Sequence, residues 1–194
     1  MNRFSIAVRM GVLTLLTATT LACTARPPTI TTYDKQGVSF QHHSNWKVVE
    51  DAELAEGSGV RFINLEGPHD AILMLTVMPS PVDQTLEQYA TTMASEFAAA
   101  IAETAIGPIR PATASPNGSS ALSARVGGAD QTGISHTYTV RVLGVKVPHV
   151  ANFFQLVGPK TTTFIVTQVA TEDAEKTAPG MAITLDSLRV GTGP

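Results

Sequence analysis

Cys23 is the one cysteine in a chain of 194 residues, so no internal disulfide can brace the fold. Whatever structure forms must be held by buried apolar side chains. A single domain of this length can do that, because it buries roughly 70% of the surface its unfolded chain exposes. The length fits one domain. Cys23 also follows an apolar, small-residue-rich stretch, Met10 to Leu21, headed by Arg3 and Arg9 and free of acidic groups. A positive head, a short apolar body and small residues before a cut site form the layout of a secretory signal. The stretch is shorter than the ~20 residues a membrane-spanning helix needs.

The segment Thr19-Thr20-Leu21-Ala22-Cys23 resembles the lipobox of bacterial lipoproteins, with Thr20 where Leu is more usual. The resemblance implies acylation of the Cys23 thiol, cleavage after Ala22 and acylation of the new amine. Each buried methylene adds ~0.8 kcal/mol, and stable anchoring takes more than one chain. Residues 1–22 are then a signal peptide. Residues 23–29, small, polar and Pro-rich, are expected to form an extended tether, and residues 30–194 the folded domain. The alternative is an ordinary secreted protein cut near Ala22 or Ala25. Thr24 stands where an Asp would be needed for inner-membrane retention, which resembles outer-membrane sorting in Gram-negative cells. The expected location is a bacterial cell envelope, with the domain facing the periplasm.

Of the 13 Lys and Arg residues, loss of Arg3 and Arg9 leaves 11 against 16 Asp and Glu, a net charge of −5. No run of basic residues is visible, so nucleic-acid binding, which needs clustered positive charge, is excluded as an expectation. Charge-driven binding to anionic headgroups is not expected either.

Extended segments and tight breaks alternate first. Ile30–Tyr33, Val38–Phe40, Trp46–Val49 and Gly59–Leu65 read as strands, with turns at Asp34–Gly37 and Glu66–Asp70 and a loop at Glu50–Ser58. Ala71–Met78 is apolar on both faces, as a covered central strand is. The period then changes. Thr85–Thr104 predicts a helix: Thr85 and Gln88 form a capping box, Leu86, Tyr89, Met93, Phe97 and Ile101 make one apolar stripe, and Gly107-Pro108 ends it. After a turn at Ser115–Gly118, strands are predicted at Ala121–Val126, Ile134–Val142, Asn152–Val157 and Thr162–Val169. The Ile134 strand alternates, which gives it one wet face. Thr171–Leu188 reads as a helix broken near Pro179-Gly180. The pattern predicts an α+β domain, a mainly antiparallel sheet packed with a long central helix and a C-terminal helix.

Gly37-Val38-Ser39-Phe40, Asn45-Trp46, Gly59-Val60-Arg61-Phe62, Thr85-Leu86-Glu87-Gln88-Tyr89-Ala90 and Leu185-Asp186-Ser187-Leu188 together look like the PsbP/DcrB-like superfamily. The resemblance spans Tyr33 to Val190 and implies an α/β sandwich. Its motifs are fold signatures, and members resemble accessory, assembly and chaperone-like factors more than enzymes.

No catalytic pattern is expected. His42-His43 are adjacent and point to opposite faces of a strand, so a shared metal would need His69 and Asp70 as well; a solvated loop is the expected reading, and no metal or cofactor is assigned. His136, on the apolar face beside Tyr138, is expected as a core imidazole hydrogen-bonded within the sheet. His149 has no acidic or nucleophilic companion. No Gly-x-Ser-x-Gly elbow or phosphate loop occurs. Glu50, Asp51, Glu53 and Glu56 lack the pattern of a calcium loop. Met74, Met78, Met93 and Met181 are expected in the core. Tyr33 and Trp46 are candidates for a binding surface. The expectation is a non-enzymatic, lipid-anchored accessory or binding protein that meets an envelope protein or a small apolar ligand. The rivals are a periplasmic metal-dependent or hydrolytic enzyme and a chaperone-like binder.

Overall fold

The computed structural model describes residues 28–103, 113–142 and 145–191, with the backbone alone for 98–103, 113–117 and 141–142. Cys23, most of the tether, the Gly107-Pro108 helix end and the Ile101 side chain lie outside the described residues.

The chain opens with a hairpin of β1 (Ile30–Lys35) and β2 (Val38–His43). Its turn places Gln36 and Gly37 at φ 47° and 77°, a conformation glycine adopts without a Cβ penalty. Four strands follow a connected course: β3 (Lys47–Glu53), β4 (Arg61–Glu66), β5 (Ile72–Pro79) and, after the helix α1 (Leu86–Glu103), β6 (Thr113–Val126). Then come β7 (Ala129–Val142), β8 (Val145–Val157), β9 (Thr161–Ala170), the helix α2 (Ala174–Ser187) and the short β10 (Arg189–Val190). The main sheet has seven strands in the order β3-β4-β5-β9-β8-β7-β6, and β1-β2-β10 form a second, three-stranded sheet. Every pairing is antiparallel. The architecture is the expected α+β arrangement.

Side-chain alternation along β5 divides the core in two. Leu73, Leu75 and Val77 point to the layer of α2 and the small sheet, with Phe40, Trp46, Ile165, Phe154 and Leu185. Met74 points the other way, to the layer of α1, with Tyr89, Phe153, Phe164 and Val166. β5 and β9 are buried on both faces, as the apolar run Ala71–Met78 predicts. The four methionines fall in these two layers, Met78 and Met93 at their margins.

Both halves of the capping box form: Gln88 N–H donates to Thr85 Oγ1 at 3.2 Å and Thr85 N–H to Gln88 Oε1 at 2.9 Å. Tyr89 then stacks on Phe164, with ring centroids 4.2 Å apart, and its hydroxyl bonds Thr76 Oγ1 at 2.9 Å.

Three expectations are corrected. Glu50–Glu53 are not loop but the edge strand β3, paired to β4 around a register shift between Val48 and Glu50; charge on an edge strand discourages pairing with foreign strands. Ser115–Gly118 do not turn. They lie within β6, which absorbs Pro116 through a register shift before Gly118, as edge strands can. α2 runs unbroken through Pro179. The proline removes one helical hydrogen bond on the solvent side, while burial of Met181 and Leu185 on the opposite side holds the helix together.

Candidate functional site

α2 leaves part of the main sheet uncovered. Beside it lies an open groove of about 1080 Å³. Ala174, Ala178 and Ala182 recur at four-residue steps, which places them on one helix face, and all three line the groove. Their small size keeps the helix wall low. The floor comes from Leu122 and Ala124 of β6, Val150 and Phe154 of β8, and Val169 of β9. Phe154 reaches the floor because Gly133, on β7, has no Cβ: one there would stand 2.6 Å from the Phe154 ring and 2.5 Å from the Phe153 carbonyl oxygen. A polar spot, Asn152 Nδ2 donating to Thr167 Oγ1 at 3.3 Å, interrupts the apolar floor.

The charged residues of the groove lining are Arg125, Asp186 and Arg189. Arg125 Nε meets Asp186 Oδ1 at 3.2 Å, and its Nη2 donates to the Gly128 carbonyl at 2.8 Å. Arg189 Nη1 donates to the carbonyls of Asp186 and Leu188 at 3.0 and 2.8 Å, which satisfies the C-terminal end of α2 where a cation also suits the helix dipole.

Trp46 and Tyr33 do not stand at a surface. Trp46 is 2% exposed, enclosed between Gly67 and Gly180. A Cβ at Gly67 would lie 2.5 Å from the indole, and one at Gly180 would run into Nε1. Tyr33 stacks on Phe40 at 4.6 Å and donates its hydroxyl proton to Asp51 Oδ2 at 2.6 Å. Arg61 closes this cluster: Nε donates to Asp51 Oδ1 at 2.8 Å, Nη2 to the Tyr33 hydroxyl at 2.6 Å and Nη1 to the Lys35 carbonyl at 3.0 Å. It fastens the first hairpin to β3 and β4. The Arg61 hydrogen bond holds the Asp51 carboxyl below the usual carboxylate range. Burial, and then the bond to Asp51, push the Tyr33 phenol up to about 12.

The histidines are dispersed. His42 and His43 belong to β2 rather than a loop, and His42 is buried with Nδ1 2.9 Å from the His43 carbonyl. His69 faces Asp173, not the His42-His43 pair, at 3.4 Å. His136 packs edge-on against Phe153, with centroids 5.4 Å apart, and burial lowers its pKa. It makes no hydrogen bond among the described residues; its ring is only half-buried, so the sheet need not satisfy it. His149 stacks on Tyr138 at 5.4 Å. No group of three or more His, Cys, Asp or Glu side chains among the described residues is placed to hold a metal ion. No described helix is long and apolar enough to cross a membrane.

No protein-family profile matches the chain, and no curated protein does. Among solved structures the chain is similar to cyanobacterial PsbP (CyanoP) from Synechocystis sp. PCC 6803, at 18% identity over 86% of this chain and 95% of that one, with a TM-score of 0.46. It is similar to LpqN of Mycobacterium tuberculosis, described as involved in cell envelope biogenesis, at 9% identity over 87% of each chain, with a TM-score of 0.44. A protein of unknown function from Pseudomonas aeruginosa matches at 12% identity over 78% of this chain and 90% of that one, with a TM-score of 0.34. At these values the likenesses carry no argument about what this chain does.

Proposed function

We propose that this chain is a non-enzymatic, envelope-associated binding protein, tethered to a membrane by lipid on Cys23, whose groove beside α2 receives an apolar ligand. The groove carries the reading. Its volume of about 1080 Å³ lies at the upper end of what small-molecule sites use, and an apolar lining with a few polar groups is the usual composition of such sites. The signal sequence and the lipobox-like segment support a place at a membrane surface, where apolar ligands are concentrated.

Filling the groove tests this. Ala178 is exposed and faces the groove. Ala178→Trp is expected to weaken binding of the neutral probe N-phenyl-1-naphthylamine by about tenfold, the value of ~1.4 kcal/mol, with the melting temperature unchanged. Equal probe affinity in the two proteins would contradict the groove as the site. The tether is tested separately. In a bacterial host grown with a labelled fatty acid, the parent protein is expected to carry the label and Cys23→Ser none, since no acyl chain can then be attached through the thiol. An unlabelled parent protein would remove the lipid from the account.

A further inference from the structure

We infer that the ligand is an acyl chain with a carboxylate head, its tail on the groove floor and its head between Arg125 and Arg189. The inference rests on the groove being a ligand site and adds what the ligand must carry. Three observations point to it. First, the two guanidiniums converge on Gly128: Arg125 Nη2 bonds its carbonyl at 2.8 Å, and a Cβ on it would stand 3.2 Å from Arg189 Nη2. Gly128, at φ 84°, leaves room for both. Second, neither guanidinium is used up. Each has five N–H donors, yet Arg125 Nη1 and the Nε and Nη2 of Arg189 make no hydrogen bond among the described residues. Third, the local charge fits one anion. Arg125 and Arg189 against Asp186 leave a formal +1 in the groove lining, on a chain whose formal charge is −3.

That balance selects the head. A carboxylate brings one negative charge and two oxygens that match the arginine fork, whereas a phosphate monoester brings ≈ −1.5 to −2. Ser39, Gln41 and Ser187 line the groove on the Arg189 side, and further in the lining has apolar side chains: Leu122, Val150 and Phe154 below, Ala178 and Ala182 above. A compact anion would leave that surface exposed, and a neutral lipid would leave the net positive charge of the lining unmatched. The capping of α2 by Arg189 is compatible with this role, because capping uses Nη1 and leaves the far edge of the guanidinium free.

The test uses the full chain carrying Cys23→Ser, which removes its own lipid, and two probes: dansyl-undecanoic acid and the corresponding dansyl-undecanol. At neutral pH and low salt the acid is expected to bind about tenfold tighter than the alcohol, because its carboxylate accepts charge-assisted hydrogen bonds that the hydroxyl cannot match. In Arg125→Gln/Arg189→Gln the preference is expected to vanish while the alcohol binds as before. Equal affinity for acid and alcohol in the unsubstituted arginine protein overturns the inference and leaves the groove reading intact. Failure of both probes overturns the groove reading with it. A dodecyl phosphate that displaces the acid probe better than dodecanoate does overturns the choice of head. If the double substitution unfolds the protein, the acid-to-alcohol ratio decides alone, since it needs no substitution in the groove.

Discussion

Trp46→Ala is expected to lower the unfolding free energy by about 3–5 kcal/mol, the range for emptying a buried aromatic site. The indole is 2% exposed and sits where the small sheet, the β4–β5 turn and α2 meet. Gly67 and Gly180 approach it so closely that neither position has room for a Cβ. The neighbouring walls are backbone, which cannot swing in to refill the space, so the cavity persists. Urea unfolding monitored by circular dichroism measures the loss. A cost under about 1 kcal/mol, the scale of a surface substitution, would mean that Trp46 does not anchor α2. The Gly180→Ala protein, which crowds the same site from the helix side, is expected to lose about 1–3 kcal/mol, as overpacked cores do.

Asp51→Ala is expected to cost about 2–3 kcal/mol, less than the 3–5 of a fully buried broken pair. The Arg61 side chain is 12% exposed and that of Asp51 20%, so without the carboxylate the guanidinium keeps a charge that water only partly reaches. The Tyr33 hydroxyl loses its acceptor at the same time. Stability should also depend on pH in two windows. The Asp51 pKa is lowered by the Arg61 hydrogen bond, so its contribution is present above the unfolded carboxylate value near ~3.9 and is lost as pH falls through the folded value. The Tyr33 pKa is raised to about 12. Its contribution is therefore present below the unfolded value near ~10 and lost as pH rises toward the folded one. Denaturation of the parent and of Asp51→Asn across acid pH is expected to converge as the carboxyl protonates. Parallel curves throughout would show that Asp51 is not held by Arg61.

Much of the fold was legible in the sequence because local chemistry dictates it. Thr85 and Gln88 announce the start of α1, since each side chain has one backbone donor to satisfy. Ala71–Met78, apolar on both faces, marks the strand that two layers cover. The misreadings have a common cause. Pro179, Pro116 and the acids Glu50–Glu53 are locally unfavourable to the elements they occupy, and distant partners override them: burial of Met181 and Leu185 for the helix, β7 for the bulged edge strand, β4 for the acidic one. Trp46 and Tyr33 read as possible surface residues because nothing local reveals that Gly180 and Gly67 close on one, or that Asp51 and Arg61 claim the other's hydroxyl. The groove was the least legible part. Ala174, Ala178 and Ala182 lie at helical spacing and gave a signal that a low wall was possible. The meeting of Arg125 with Arg189 had none, because it depends on the β6–β7 turn reaching the end of α2, where Gly127 N–H donates to the Leu185 carbonyl at 2.9 Å. Overall acidity argued against anion binding, and the folded chain gathers two of its few cations into one groove.

The most direct measurement is methyl and backbone NMR of the Cys23→Ser chain titrated with dodecanoate. The expected result is saturable shifts at Leu122, Val150, Ala178 and Ala182, with the Arg125 and Arg189 side-chain signals moving in step and Met74 and Met93 in the α1 layer unmoved. Shifts confined to the α1 layer, or none at saturating ligand, would contradict a ligand site beside α2.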